Sequence, residues 1–90
     1  MRTITLFSTG PSCVKCRFTL SMMKKAGIVP DYVDLSTGGE LPADVAALPA
    51  AMAPIVVVRD AAGVIVMWWA DARPDKIKEL AAELQTQQAA

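Results

Sequence analysis

The chain has 90 residues, of which 53% are hydrophobic and 20% are charged, and this composition is typical of a globular protein rather than a disordered one. Nine lysine and arginine residues balance nine aspartate and glutamate residues, so the overall charge provides no attraction to nucleic acid or to an anionic membrane. Histidine is absent, which removes the commonest general base and the commonest metal ligand. The length corresponds to one domain, and we predict a single domain over residues 1–90.

The apolar stretches of the sequence are short. The longest, residues 45–58, is interrupted by Pro49 and Pro54 and falls short of the roughly 18 residues that a membrane-spanning helix needs. The N-terminus passes directly into a strand-like run, without an apolar signal segment and cleavage site. We therefore expect a soluble, cytosolic protein. In that compartment a lone cysteine pair is more often catalytic or metal-binding than a structural crosslink.

The first half of the sequence predicts a strand, a helix and a second strand. An apolar run at residues 2–8 indicates the first strand. Residues 13–26 have a helical pattern, with Ser12 as the N-cap and Gly27 as the stop. A short alternating run at residues 31–35 indicates the second strand. Apolar residues recur at four-residue spacing along the helix, at Val14, Phe18, Met22 and Ala26, with Leu20 and Met23 beside them, and Phe18 is expected in the core.

The second half predicts a short helix, a hairpin and a final helix. Residues 40–48 have a helical stripe with a proline near its start. Four β-branched residues at 55–58 and an apolar run at 64–69 indicate two strands joined by a short loop. The last helix begins at Pro74, and residues 85–90 are expected to fray. The order β-α-β-α-β-β-α predicts an α/β fold with a mixed four-stranded sheet and three helices, because the helix-linked strands must be parallel and the hairpin antiparallel.

Cys13 and Cys16 are the two cysteines of the chain, and they lie where the first strand gives way to the first helix. A Cys-x-x-Cys pair in that position is typical of a thiol–disulfide redox motif. The spacing places both sulfurs on one face within one helical turn. Free backbone N–H groups in the first turn favour a thiolate on Cys13, and Lys15 and Arg17 add positive charge nearby. We predict that Cys13 is the nucleophile and that Cys16, which should be less exposed, resolves the intermediate.

Other interpretations of the cysteine pair remain open. The two thiols could be inert core residues, or half of a zinc or iron–sulfur site. One pair supplies two ligands, and without histidine or a third cysteine a tetrahedral site would require a second copy of the chain. We therefore expect a monomer without metal or other cofactor. A redox-sensing binding module, in which the thiol state controls a partner without turnover, is the alternative to an enzyme.

Three features together resemble the glutaredoxin-like proteins of the NrdH-redoxin type. They are the Cys-Val-Lys-Cys motif at 13–16, Pro54 before a valine-rich strand, and Arg-Pro-Asp at 73–75 before the last helix, and the resemblance spans roughly residues 3–84. It implies the thioredoxin fold, with Pro54 in a cis peptide bond beside the cysteines, and protein-disulfide reductase activity. It also implies ribonucleotide reductase as the client and thioredoxin reductase, rather than glutathione, as the electron source.

The residues that border the cysteines are expected to contact the partner protein. A cis Pro54 would leave the backbone of Ala53 available to pair with an extended partner segment. Neighbouring Trp68 and Trp69 should face opposite sides of their strand, one in the core and one partly exposed as a partner anchor. Asp71 adds charge and bulk where the family has a glycine that leaves room for a partner's backbone. The expected partner-binding residues are Val14, Lys15, Ala53, Pro54, Trp69, Ala70 and Asp71.

Overall fold

The computed structural model describes residues 2–50 and 52–88. Its strands are β1 (Thr3–Ser8), β2 (Asp31–Asp34), β3 (Ile55–Arg59) and β4 (Ile65–Ala70), and its α-helices are α1 (Val14–Lys25), α2 (Ala43–Ala46) and α3 (Pro74–Gln88). A 3₁₀ helix, Leu35–Thr37, follows β2 and is not among the predicted elements. In the described ranges, none of the helices combines the length and the apolar character that crossing a membrane requires.

The four strands form one mixed sheet, as predicted, and their order in the sheet is β2-β1-β3-β4. β1 is parallel to β2 and antiparallel to β3, and β3 is antiparallel to β4. Phe7 of β1 pairs with Ile55 of β3, which pairs in turn with Ala70 of β4. The end of β1, the start of β3 and the end of β4 therefore lie together at one edge of the sheet, and α1 begins beside that edge.

The core consists of two apolar clusters, one on each face of the sheet. On the first face, α1 and α3 cover the sheet, and the buried residues are Leu6, Met23, Ile28, Val56, Val58, Trp69, Ile77 and Leu80. On the second face, α2 covers the buried residues Phe7, Val45 and Val57. Val56, Val57 and Val58 point alternately to the two faces and are all buried, which confirms the prediction of a strand buried on both sides.

The expectation that Phe18 of α1 lies in the core is wrong. Val14 is 74% exposed and Phe18 is 45% exposed, whereas the buried residues of the helix are Cys16, Thr19 and Met23. Both sets recur at helical spacing, so periodicity alone does not choose between them. The loop after β1 determines which face of α1 is buried, because it orients the helix with Cys16 towards the core.

Two helix ends differ from the predicted ones. α2 occupies only Ala43–Ala46, with Pro42 at its N-cap and without a side-chain capping hydrogen bond. α3 continues to Gln88, and the fraying expected from residue 85 stays a prediction. The segment after Leu84 contains neither glycine nor proline to stop the helix. Residues 89–90 lie outside the described part of the chain.

Thr19 leads to a stability prediction. Its hydroxyl is fully buried and has no hydrogen-bond partner in the described ranges, an arrangement that costs about 1–3 kcal/mol. Thr19→Val removes the hydroxyl and keeps the branched shape, so we expect it to raise the free energy of unfolding by about 1 kcal/mol. Urea unfolding of the oxidised protein measures the change.

The control for Thr19→Val is Thr37→Val. The Thr37 hydroxyl is exposed and donates to the Asp34 carbonyl at 3.4 Å, so its loss should give no gain in stability. A loss of stability in Thr19→Val would mean that the buried hydroxyl has a partner in solution, and our account of this position would then fail.

Candidate redox site

The loop that leaves β1 fixes where α1 begins. The buried Ser8 hydroxyl donates to the Gly10 carbonyl at 3.2 Å and accepts from the Gly10 amide at 3.1 Å. Gly10 has a φ of +127°, and a Cβ at this position would come within 3.0 Å of the Ser36 hydroxyl oxygen, so glycine is required here. The Gly10 carbonyl then accepts from the Cys13 amide at 3.1 Å. The resulting turn places Cys13 at the start of the helix.

Cys13, rather than the predicted Ser12, is the N-cap of α1. Its Sγ accepts a hydrogen bond from the Cys16 amide at 3.2 Å. Cys13 and Cys16 are joined by a disulfide bond, with their Cα atoms 5.2 Å apart, so the structure represents the oxidised form. Cys16 is completely buried and Cys13 is half-buried, in the order of exposure that the sequence predicted. In the reduced form, the same backbone N–H and the N-terminus of α1 would stabilise a thiolate on Cys13.

The Ala53–Pro54 segment lies at the same edge of the sheet. The peptide bond between these residues is cis, as the family resemblance implied. Pro54 is buried, and its carbonyl accepts from the Asp71 amide at 3.0 Å, which extends the pairing of β3 with β4 by one residue. In residues 2–50 and 52–88, the backbone amide and carbonyl of Ala53 do not take part in the backbone hydrogen bonds of the turns, loops and helix caps.

Lys15 and Asp71 form an ion pair that links the cysteine motif to the segment after β4. The Lys15 Nζ lies 2.8 Å from the Asp71 Oδ1, and the two side chains are 48% and 35% exposed. The same carboxylate oxygen accepts from the Ala72 amide at 2.8 Å. The hydrogen bond from Lys15, followed by that from the Ala72 amide, lowers the pKa of Asp71 below its ordinary value. Lys15 and Asp71 were each expected at the site from the sequence, but their contact was not predicted.

The two tryptophans divide as predicted, one buried and one partly exposed, and Trp69 is the buried one. It is 3% exposed and packs in the first core cluster, whereas Trp68 lies on the opposite face of the sheet. The place of Trp69 among the expected partner-binding residues therefore needs correction, because its indole has almost no surface to offer. Of the other expected contacts, Val14 is prominently exposed and Ala70 is half-buried.

Two clefts flank the segment before Pro54. A cleft of about 300 Å³ lies between this segment and the end of β4, and a smaller one of about 210 Å³ lies towards the end of β1. Met52 lines both clefts and is 48% exposed. Met52 was not predicted from the sequence, because the alanine- and proline-rich segment around it does not indicate where the methionine side chain lies. The first cleft has Trp68, Asp71 and Arg73 among its lining residues.

In residues 2–50 and 52–88, no group of three or more cysteine, aspartate or glutamate side chains is arranged to hold a metal ion. Cys13 and Cys16 are bonded to each other in this structure.

Comparison with known proteins identifies the fold. No protein-family model matches the sequence, and no curated protein matches it significantly. Among solved structures, the glutaredoxin-like protein NrdH-redoxin from Escherichia coli, studied for its thioredoxin-like activity profile, matches with a TM-score of 0.68 and 24% sequence identity. The match covers 87% of this chain and 93% of that one. The chain has a thioredoxin fold. The predicted fold class and the likeness to NrdH-redoxin are both confirmed at the level of structure.

Proposed function

We propose that this protein is a dithiol oxidoreductase that reduces disulfide bonds of a partner protein by thiol–disulfide exchange. The observation that carries the proposal is the Cys13–Cys16 pair at the N-terminus of α1 in a thioredoxin fold. The accessible cysteine is at the capping position and the buried one lies a turn behind it. This order suits one sulfur for attack on another molecule and the other sulfur for an intramolecular step.

The first step begins with the reduced protein. The Cys13 thiolate attacks one sulfur of the partner's disulfide, a bond forms between Cys13 and that sulfur, and the other partner sulfur leaves as a thiolate that takes up a proton. The half-buried position of Cys13 allows this approach. The Cys16 amide and the start of α1 hold the attacking sulfur in its charged form.

The second step releases the partner. Cys16 loses its proton and attacks the Cys13 sulfur, the mixed disulfide breaks, and the second partner sulfur leaves as a thiol. The partner has then gained two electrons and two protons, and this protein holds the Cys13–Cys16 disulfide seen in the structure. Because Cys16 is fixed one turn from Cys13, its effective concentration is far above that of a free thiol.

The partners follow from the family resemblance. We propose ribonucleotide reductase as the client and thioredoxin reductase as the enzyme that returns two electrons to the Cys13–Cys16 disulfide, in the cytoplasm. Support comes from the cysteine motif, Pro54 and the Arg-Pro-Asp segment, which carry the family resemblance. The Ala53 backbone and the adjacent clefts are the surfaces against which an extended client segment would lie.

A trapping experiment tests the proposal and the roles of the two cysteines. Cys16→Ser removes the resolving sulfur, so we expect it to accumulate a mixed disulfide with the client that dithiothreitol releases. Cys13→Ser should capture no client, because the remaining sulfur is buried. Non-reducing electrophoresis followed by mass spectrometry identifies the captured protein. Equal capture by both variants would contradict the assignment of Cys13 as nucleophile.

A further inference from the structure

We propose that Asp71 is a positioning residue for the redox reaction, because it holds the Lys15 ammonium and so limits the stabilisation that Lys15 gives to the Cys13 thiolate. The inference rests on the proposed function, which it deepens by assigning a control of reactivity to a residue outside the cysteine motif. Its basis is the contact between Lys15 and Asp71, and the position of both residues at the edge of the sheet where the cysteine pair lies.

The topology brings three separate segments together at this edge. Lys15 lies between the two bonded cysteines, and its Nζ reaches the Asp71 carboxylate at 2.8 Å. The amide of Asp71 donates to the carbonyl of Pro54 at 3.0 Å. Asp71 is thus fixed by its backbone to the cis-proline segment and by its side chain to the cysteine motif. Its negative charge belongs to the same site as the sulfurs.

The neighbouring charges have partners of their own. Arg73 binds the Asp75 carboxylate at 3.1 and 2.8 Å, and Lys76 lies 3.5 Å from Glu79. Asp71 is therefore the carboxylate that the structure pairs with Lys15. Without the charge of Asp71, a negative charge would leave the site and the charge of the Lys15 ammonium would no longer be neutralised by an ion pair. Both effects favour a thiolate.

The backbone at position 71 is the second observation. Asp71 has a φ of +72°. Among the described residues, it is the one residue other than glycine with a backbone in the left-handed region. An aspartate there costs conformational energy that a glycine would not. Its carboxylate offsets part of this cost through the hydrogen bond from the Ala72 amide and the ion pair with Lys15. The arrangement keeps a carboxylate where it can hold Lys15.

The test compares thiolate formation in reduced variants. Asp71→Asn removes the charge but keeps an oxygen that can accept from the Ala72 amide. We expect the acid dissociation constant of the Cys13 thiol, titrated by thiolate ultraviolet absorbance, to rise roughly threefold to tenfold. Lys15→Met should change it in the opposite direction, because it leaves Asp71 unpaired. The double variant Lys15→Met with Asp71→Asn should fall between the two.

A second readout is the redox equilibrium. A more stable thiolate stabilises the reduced form, so Asp71→Asn should be reduced to a greater extent than wild type in the same dithiothreitol buffer. If Asp71 had only a structural role, Asp71→Asn and Lys15→Met would not shift the Cys13 titration and the redox equilibrium in opposite directions. Asp71→Gly removes the charge together with the left-handed strain and should follow Asp71→Asn, which keeps the test available if the asparagine variant folds poorly.

The matched control is Asp44→Asn. Asp44 is also an ion-paired surface carboxylate, bound to Arg59 at 2.5 and 2.9 Å, but it lies on α2. Its loss should leave the Cys13 titration unchanged. An Asp71→Asn titration equal to wild type, or moved in the direction of Lys15→Met, would overturn the inference. If wild type fails to exchange with any disulfide, the proposed function fails instead, and the titration still reports on Asp71 independently.

Discussion

Cys13→Ser is expected to reduce disulfide reduction to the background rate, a loss of at least about 10³-fold. A serine hydroxyl does not ionise under conditions in which a capped thiol does, so the nucleophile disappears while the fold around it is kept. Reduction of insulin disulfides, with NADPH and thioredoxin reductase or with dithiothreitol as the electron source, measures the loss. Wild-type turnover in Cys13→Ser would contradict the assignment.

Cys16→Ser is the informative companion, because it should fail at a different step. The Cys13 thiolate remains, so the first attack should proceed at close to the wild-type rate and stop at the mixed disulfide. A chromogenic disulfide such as DTNB should therefore give a burst of about one equivalent of thiol per protein and no rapid second release. If wild type itself turns over no disulfide with any of these reductants, the enzyme proposal fails and the redox-sensing alternative gains support.

The sequence predicted the sheet better than it predicted the helices. The valines of β3 are β-branched and contiguous, and this pattern strongly indicates a strand that is buried on both faces. The order of elements then determines which strands are parallel. In α1, by contrast, the polar-looking face of Cys16 and Thr19 is buried, and the apolar Val14 and Phe18 are exposed.

The exposure of Val14 and Phe18 has a physical explanation in the site. The proposed redox chemistry requires Cys16 behind Cys13, and a helix that turns Cys16 inward turns Val14 and Phe18 outward. Local periodicity contains no information about this requirement. The burial pattern of α1 could be predicted only after the cysteine pair had been given its role.

The contacts between segments that are far apart along the chain could not be predicted from the sequence. Lys15 and Asp71 were each expected at the site, but their ion pair depends on the register of β4 with β3 and on the left-handed turn at Asp71. Neither the register nor the turn has a local signature, since a positive φ is uncommon for any residue other than glycine. The same limit applies to Met52, whose place between two clefts follows from the course of an irregular connection.

Leu80→Ala is the substitution expected to have the largest effect on stability. Leu80 is completely buried on α3 in the cluster that joins this helix to α1 and the sheet. Removing its branched side chain leaves a cavity, at a cost of about 2–5 kcal/mol. Domains of this size have a free energy of unfolding of roughly 5–15 kcal/mol, and each kcal/mol lowers the melting temperature by about 4–8 °C. We therefore expect melting to fall by at least about 10 °C.

The matched control for this substitution is Leu84→Ala, which deletes the same atoms one turn further along α3. Leu84 is only partly buried and packs against the edge of the same cluster, so its loss should cost about 1 kcal/mol. Both variants must be compared in the disulfide-bonded form, because reduction changes the unfolded chain as well as the folded one. Thermal melting followed by circular dichroism ranks the two substitutions. If they destabilised the protein equally, Leu80 could not be the contact through which α3 is held on the sheet, because burial alone distinguishes the two leucines.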